Sequence, residues 1–306
     1  SDVCSSDLSD ATSWIAFSCL TMLRICLELA RRDPAWDDLA TTFLERFLAI
    51  STAIETFGTQ SISLWDDEDG FYYDVLLPLD GADLVAKAQL LRVRSLVGLL
   101  PLLAVAVAPP WVAKELPDFT ERLAWLSAHR PEETDAILTT QGLDSGVQST
   151  LTLIHPDRHA RLVSRLLDEG EFLSPFGIRS MSAAYRGGIQ VELPDGHLDI
   201  DYAPGESTSG MFGGNSNWRG PIWMPVNVLL ADAIRVYAEG AGAAARVEFP
   251  TGSGQLVGLA EVADKLEKRL VALFRPAPDG RRPSQPRDYP PGPLWDEHPV
   301  FSEYFH

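Results

Sequence analysis

The sequence predicts an all-α fold, an (α/α)6 barrel (toroid) that is incomplete in this chain, and three observations predict it. Segments that are apolar on every side alternate with segments that carry a single apolar stripe. About seven such segments are present, where six hairpins would close the ring. The connections are unequal, some of only a few residues and others long and rich in Gly, Pro, Asp, Trp and Tyr. In that arrangement the inner helices are buried on all faces and the outer helices on one.

Trp14–Arg31 is apolar almost all round, through Trp14, Ile15, Phe17, Leu20, Leu23, Ile25 and Leu27, and reads as an inner helix. Asp33-Pro34 ends it. Ala35–Phe57 spaces Trp36, Leu39, Phe43, Phe47, Ile50 and Ile54 three or four apart and leaves Asp38, Glu45 and Glu55 to solvent, as an outer helix would. The pattern returns in the apolar run of residues 82–107 followed by the amphipathic Pro117–His129. It returns again in Pro221–Glu239 followed by Leu259–Phe274. Pro156–Asp168 fits the alternation poorly, and Glu132–Leu153 is where a partner for it would lie. The long connections are Gly58–Gly81, Glu171–Gly220 and Arg275–His306. Long structured loops in a compact domain are where function concentrates.

The ends set the boundaries. Ser1–Leu8, SDVCSSDL, has no helical or strand period and reads as a translated sequencing adapter. Residues 9–306 are then the partial domain. The 306 residues are 45% hydrophobic and 22% charged, enough to bury a sizeable core. A net charge of −18 and a pI near 4.6 argue against nucleic acid and anionic membranes as partners, since both require basic surface. Acidity says nothing against a neutral small molecule. The three cysteines form no even framework, and Cys19 and Cys26 read as small buried hydrophobes. The apolar run Leu90–Val107 is interrupted by Arg92, Arg94, Gly98 and Pro101, so it is a poor membrane span, and a cytoplasmic location is the expectation.

No metal-ligand spacing, Walker loop, dinucleotide fingerprint or nucleophile elbow is present, so neither metal nor cofactor is expected. What remains is carboxylates and aromatics in loops. The stretch Gly210–Asn227, GMFGGNSNWRGPIWMPVN, combines backbone-permissive glycines with Asn215, Asn217, Trp218, Arg219 and Trp223, and Pro221 stands where a helix would start. Indole faces beside guanidinium and amide donors suit a sugar ring, which offers C–H faces to stack and hydroxyls to bond. In LWDDEDGFYYD, Asp67–Asp69 read as a solvated acidic turn, with calcium conceivable but without its ligand spacing, and Trp65, Tyr73 and Asp74 as ligand contacts. In the terminal FSEYFH, Glu303 is a lone carboxyl among aromatics, a candidate general acid or base.

Taken in order, LWDDEDGFYYDVL, SPFGIRSMS, GMFGGNSNWRGPIWMPVN and FSEYFH resemble the bacterial branch of glycoside hydrolase family 63, which is related to processing α-glucosidase I and mannosylglycerate hydrolase. The resemblance implies an (α/α)6 barrel and inverting hydrolysis of short α-glucosides or α-mannosides, without cofactor. It implies Glu303 as general base, in a motif that ends at His306. It places the general acid upstream of Ser9-Asp10-Ala11-Thr12-Ser13-Trp14, so the chain is expected to be an inactive fragment; Asp10, the nearest carboxylate, reads as a substrate contact with the acid as its alternative role, and Trp14 as a further contact. It also implies that Trp65, Asn217, Trp218, Arg219 and Trp223 line the sugar pocket, and Tyr73, Asp74 and His306 are further candidate substrate contacts. A trehalase- or glucoamylase-like toroid, or a non-catalytic carbohydrate-binding toroid, are the alternatives.

Overall fold

The computed structural model describes residues 7–56, 62–76, 89–143, 146–193, 196–205, 218–242, 245–286, 292–293 and 297–306. Among the described residues the fold is mixed, 48% helix and 21% strand, and this overturns the all-α barrel. Among the described residues the strands form seven small antiparallel sheets, six of two strands and one of three. The chain divides into two compact units. One is built from Ser1–Val163 and Ala233–Ala245, the other from Ser164–Asp232 and Arg246–His306.

The first unit starts with a helical hairpin, α1 (Asp7–Ala30) and α2 (Ala35–Glu55), joined through Asp33, whose carboxylate accepts the Ala35 N–H at 3.0 Å. Its core is apolar: Leu20 and Leu23 of α1 and Leu44, Phe47 and Leu48 of α2 are all but inaccessible. Each such side chain contributes roughly 1.5–3 kcal/mol through burial. Sequence periodicity placed both helices well and erred on the surroundings of α1. Ile15, Ile25 and Leu29 are exposed, so α1 is not an inner helix buried on every face. Residues Ala11–Ala30 are long and apolar enough to cross a membrane by length and composition, although one face of this helix is packed into the core.

After the hairpin come β1 (Trp65–Asp66) paired with β2 (Phe71–Tyr72), then β3 (Asp74–Leu76) paired with β4 (Gln89–Leu91). The run read as a single apolar helix over 82–107 is instead β4, a 3-10 helix at Leu96–Leu103 and β5 (Val105–Ala108), with 82–88 outside the described residues. The reason is local. Gly98 sits so close to β2 that a Cβ there would lie 2.2 Å from the Phe71 ring and 2.3 Å from the Tyr72 carbonyl. Pro101 removes a helical donor, and Val105 and Val107 favour an extended chain.

Short helices follow, α3 (Val112–Glu115), α4 (Pro117–His129) and α5 (Pro131–Ile137). The last two open on a proline, which has no N–H to leave unsatisfied at a helix start. Glu132–Leu153 is occupied by α5 and the hairpin of β6 (Leu138–Leu143) and β7 (Gly146–Thr152), not by a partner helix of the barrel kind. In that sheet β7 is central between β5 and β6. Helix α6 (Pro156–Leu166) carries His159, which stacks on Tyr237 with ring centres 3.6 Å apart and planes 8° from parallel.

The second unit is built from hairpins, one whole helix and the first half of another, whose residues from Ala233 on belong to the first unit. It contains β8 (Leu173–Ser174) paired with β9 (Gly177–Ile178), then β10 (Ile189–Leu193) with β11 (Gly196–Ile200). The strand β12 (Ile222–Trp223) leads into α7 (Met224–Ala241). The hairpin of β13 (Arg246–Glu248) and β14 (Leu256–Gly258) leads into α8 (Leu259–Ala272), and the chain ends in β15 (Tyr304–Phe305). The α8 stripe Leu259, Val262, Ala263, Leu266 and Leu270 is buried as its spacing requires. Pro221 does not open a helix. Residues 222–223 are extended, and α7 begins at Met224 with Pro225 in its first turn.

His159 generates a pH dependence. Burial holds its imidazole down to about 3, against an ordinary value near 6.5, so the folded protein keeps it neutral where the unfolded chain would protonate it. Stability is therefore full above about pH 6.5 and falls as the pH drops toward 3, by about 1.4 kcal/mol per pH unit. Denaturant unfolding at pH 6.5 and pH 5 should show a loss of about 2 kcal/mol. In His159→Phe, which keeps a stacking ring and removes the titration, the part of the slope due to this residue should vanish.

Candidate functional site

The residues singled out from the sequence divide between the two units. In the first unit, Trp14 is half-buried on α1 and meets Phe17 edge-on at 6.1 Å. Asp10 lies in the first turns of α1, and its side chain is outside the described residues. Trp65 and Tyr73 belong to the core, 5% and 2% exposed. The Trp65 indole N–H donates to Asp67 Oδ1 at 2.7 Å, and the guanidinium carbons of Arg158 and Arg161 each lie 5.3 Å from its ring centre. The Tyr73 hydroxyl donates to Asp69 Oδ2 at 2.7 Å, while Asp69 Oδ1 accepts from Arg94 at 2.7 Å. Asp74 is half-buried in β3.

The acidic turn is therefore not simply solvated. Asp66 is buried; its Oδ1 accepts the Asp69 N–H at 2.9 Å and its Oδ2 pairs with Arg92 at 2.7 Å. Burial disfavours the charged Asp66 carboxyl, but the Asp69 amide and Arg92 outweigh it and hold the group below the usual carboxylate range. Burial pushes Tyr73 well above its ordinary value, and its donation to Asp69 adds to that. The carboxylates of this turn are engaged by arginine, indole, phenol and amide donors, an arrangement that fixes the turn.

In the second unit, the described part of the long Gly-rich stretch begins at Trp218; Asn215 and Asn217 lie outside it. Gly220 has φ +122°, and a Cβ there would stand 2.3 Å from the Tyr202 ring, so only glycine fits. Its N–H donates to Ser180 Oγ at 2.9 Å, and the next carbonyl, Pro221, accepts the Ser180 N–H at 3.0 Å. Ile222 then bridges to Arg179 on one side and pairs with Phe305 on the other. Asn227, fully buried at the start of α7, locks this strand in place. Its Oδ1 accepts the Ile178 N–H at 2.6 Å, and its Nδ2 donates to the carbonyls of Ile178 at 2.9 Å and Trp223 at 3.0 Å.

Pairing of β12 with β15 sets Trp223 opposite Tyr304, and the Met224 N–H donates to the Glu303 carbonyl at 2.8 Å. One consequence is chemical. The Trp223 indole N–H donates to Glu303 Oε1 at 3.0 Å, with Trp218 packed edge-to-face on Trp223 at 4.9 Å. Glu303 is exposed, not enclosed among aromatics as its neighbours suggested. Arg219 is buried, its Nη2 3.5 Å from the Asp201 carbonyl and its own carbonyl accepting the Ala203 N–H. Ser302, Tyr304, Phe305 and His306 border an open cleft of about 1220 Å³, shared with Phe176, Arg281 and Gln285. Glu303 faces Trp223 instead.

The structure thus joins Trp218, Trp223 and Glu303 directly and sets His306 on the adjoining cleft. It shows Trp65, Tyr73 and Arg219 with their polar groups turned to protein partners. Sequence reasoning missed Asn227 and the cleft residues Phe176, Arg281 and Gln285. Asn227 had a signal, an amide four residues after Trp223 in an otherwise apolar helix start. The cleft residues had none, because they meet only in the folded unit.

No family model matches the chain. It is 38% identical over 316 residues to the uncharacterized protein YMR196W of Saccharomyces cerevisiae, an alignment covering 97% of this chain and 28% of the yeast protein. The chain thus spans little more than a quarter of the curated relative it matches.

Asn227→Leu should cost about 2–4 kcal/mol in denaturant unfolding, because it strands buried backbone groups of Ile178. Gln190→Leu, which removes an exposed amide bonded to Asp199, should cost less than about 0.5 kcal/mol. Equal costs would show that Asn227 does not lock the strand.

Proposed function

We propose that this chain carries the general-base side of an inverting glycoside hydrolase acting on short α-glucosides or α-mannosides. The observation that carries the reading is the Trp218–Trp223–Glu303 cluster, in which an exposed carboxylate is oriented by an indole N–H beside a second indole. Carboxylate and aromatic surface side by side are what hydrolysis of a sugar acetal uses. The resemblance of FSEYFH and NSNWRGPIW to the glycoside hydrolase family supports the same residues.

In this reading Trp223 fixes Glu303 Oε1, and Oε2 takes a proton from the water that attacks the anomeric carbon. As that proton leaves, the water oxygen bonds to carbon and the glycosidic oxygen departs with a proton from an acid. Inversion sets the two carboxyl groups about 6.5–9.5 Å apart, to leave room for the water. The resemblance assigns the acid to no residue of this chain. Trp218 and the faces of Trp223 supply stacking surface beside the carboxylate.

The test uses the longest polypeptide that carries this sequence, assayed on aryl α-glucosides and α-mannosides with the product anomer followed by NMR. Turnover with inversion is expected. Glu303→Gln should lower kcat by about 10²–10⁴-fold with KM little changed. Full activity in Glu303→Gln sinks the assignment of the base. Saturable sugar binding with no turnover in the unaltered protein makes it a carbohydrate-binding module.

A further inference from the structure

The three-stranded sheet of the first unit ends on an open edge. Its strand order is β5–β7–β6, so β6 is an outer strand, and among the described residues no strand or other backbone group bonds to its far side. Thr139 to Leu143 are all exposed. Alternate residues of an outer strand direct N–H and C=O away from the sheet, and the six residues of β6 are enough to template another strand.

Folded proteins blunt such an edge with lysine, proline, a bulge or a covering element. Leu138–Leu143 and Gly146–Thr152 contain no charged residue and no proline, in a chain that is 22% charged. The β6–β7 register runs without a bulge from Leu138 opposite Leu151 to Leu143 opposite Gly146. The ribbon is also anchored. Gln148 Nε2 donates to the Glu239 carbonyl at 3.0 Å, and α7 approaches so closely that a Cβ on Gly240 would lie 2.1 Å from Thr150 Oγ1. A fixed edge loses little conformational freedom when a strand joins it.

The order of side chains says which strand fits. Read from either end, Leu138-Thr139-Thr140-Gln141-Gly142-Leu143 starts apolar, passes through hydroxyl and amide groups and ends apolar. Two antiparallel copies about a two-fold axis therefore set the leucine end of one beside the leucine end of the other, and polar groups beside their like. Charge points the same way. Two chains of net charge −18 repel, so they meet best where neither presents a charge. Asp135 and Asp144 are the nearest charges along the chain on either side of β6. Antiparallel pairing brings the Asp135 end of one copy to the Asp144 end of the other, so salt should favour the pair.

We propose that β6 is an interface for a second copy of this chain. The two β6 strands join antiparallel across a two-fold axis, and two three-stranded sheets become one of six. The inference rests on the first unit alone and asks nothing of the hydrolytic reading.

The sedimentation mass of the whole chain, followed against concentration, tests it. The interface is small, so a rise from monomer to dimer is expected at about 10–100 μM, and at lower concentration in high salt than in low. Thr140 is the residue to change. It pairs with Ser149, on the face of the ribbon opposite to the one from which Gln148 and Thr150 meet α7. Thr140→Lys and Thr140→Glu should each weaken association at least about tenfold at low salt, and an equimolar mixture of the two should restore it. Thr140→Val should leave it unchanged. If a charged variant fails to fold, amide hydrogen exchange of the unaltered chain decides: alternate β6 amides should gain protection as concentration rises, and unchanged exchange counts against the pair. The proposal is overturned by a mass that stays monomeric at about 100 μM in high salt. Assembly past two copies, charged variants that dimerise as the unaltered chain does, or a mixture that fails to recover what each has lost also overturns it.

Discussion

The described geometry of the candidate site depends on one buried amide. Asn227 is where the start of α7, the β9 strand and the β12 strand meet, and it replaces a missing strand neighbour by bonding both backbone groups of Ile178. An extended chain of two residues cannot hold its register through its own ladder, because two backbone pairs are too few. β12 is that short. It is held by the Arg179 bridge on one edge, by β15 on the other, and by the amide that joins the Trp223 carbonyl to Ile178. The tight approach leaves no spare volume. A Cβ on Gly177 would lie 2.8 Å from Asn227 Oδ1, at a φ of +141° that other residues rarely adopt. Register at β12 then determines that Trp223 faces Glu303. A one-residue slip would turn the indole to the other side of the pair.

The first unit solves a different problem, a turn dense in charge beside an apolar core. Asp66 is buried, and a buried carboxylate is costly unless its oxygens are matched by donors. The Asp69 amide and Arg92 serve Asp66, and cations near and far in sequence serve the rest of the turn, Arg94 bonding Asp69 and Arg161 on α6 bonding Asp67. Arg161 reaches the Asp67 carboxylate and the Asp67 carbonyl, and Arg158 pairs with Glu55 at the end of α2 while facing the Trp65 ring. The indole thus packs against two cations and donates its N–H to an anion. That is a structural use of residues which, read in sequence, look like a sugar-binding wall.

What could be read from the sequence follows from how far each signal reaches along the chain. Amphipathic helices announce themselves over several turns, and α2, α4 and α8 begin and end within a few residues of where periodicity places them. The error in fold class came from segments with no periodicity to read. An apolar run such as 89–108 satisfies a buried helix and a pair of buried strands equally, and what decides between them is the contact of Gly98 with Phe71, some 27 residues away in sequence. Strands of two or three residues carry almost no pattern, so alternation suggested a short strand only after Gly70, where β2 lies, and the pairings β8–β9 and β12–β15 were invisible as sheet. At the site, residue type found Trp223 and Glu303 separately. Their contact depends on β12 pairing with a strand 80 residues later, which composition does not reveal.

The same contact reconciles two uses of Trp223 that look exclusive. An indole N–H lies in the plane of its ring, so a carboxylate bonded to it also sits near that plane. The π faces point at right angles to that bond and are not consumed by it. Trp218 meets Trp223 at 76°, an edge-to-face arrangement in which the two rings do not cover each other face to face as stacking would. Trp223 can therefore orient Glu303 and still contribute apolar face to whatever lies beside the carboxylate. A phenylalanine in its place would keep the face and lose the orientation. A histidine would keep a donor and lose most of the surface. Tryptophan alone among the side chains combines an apolar area this large with a donor that cannot also accept, which is what a carboxylate that must stay an acceptor requires.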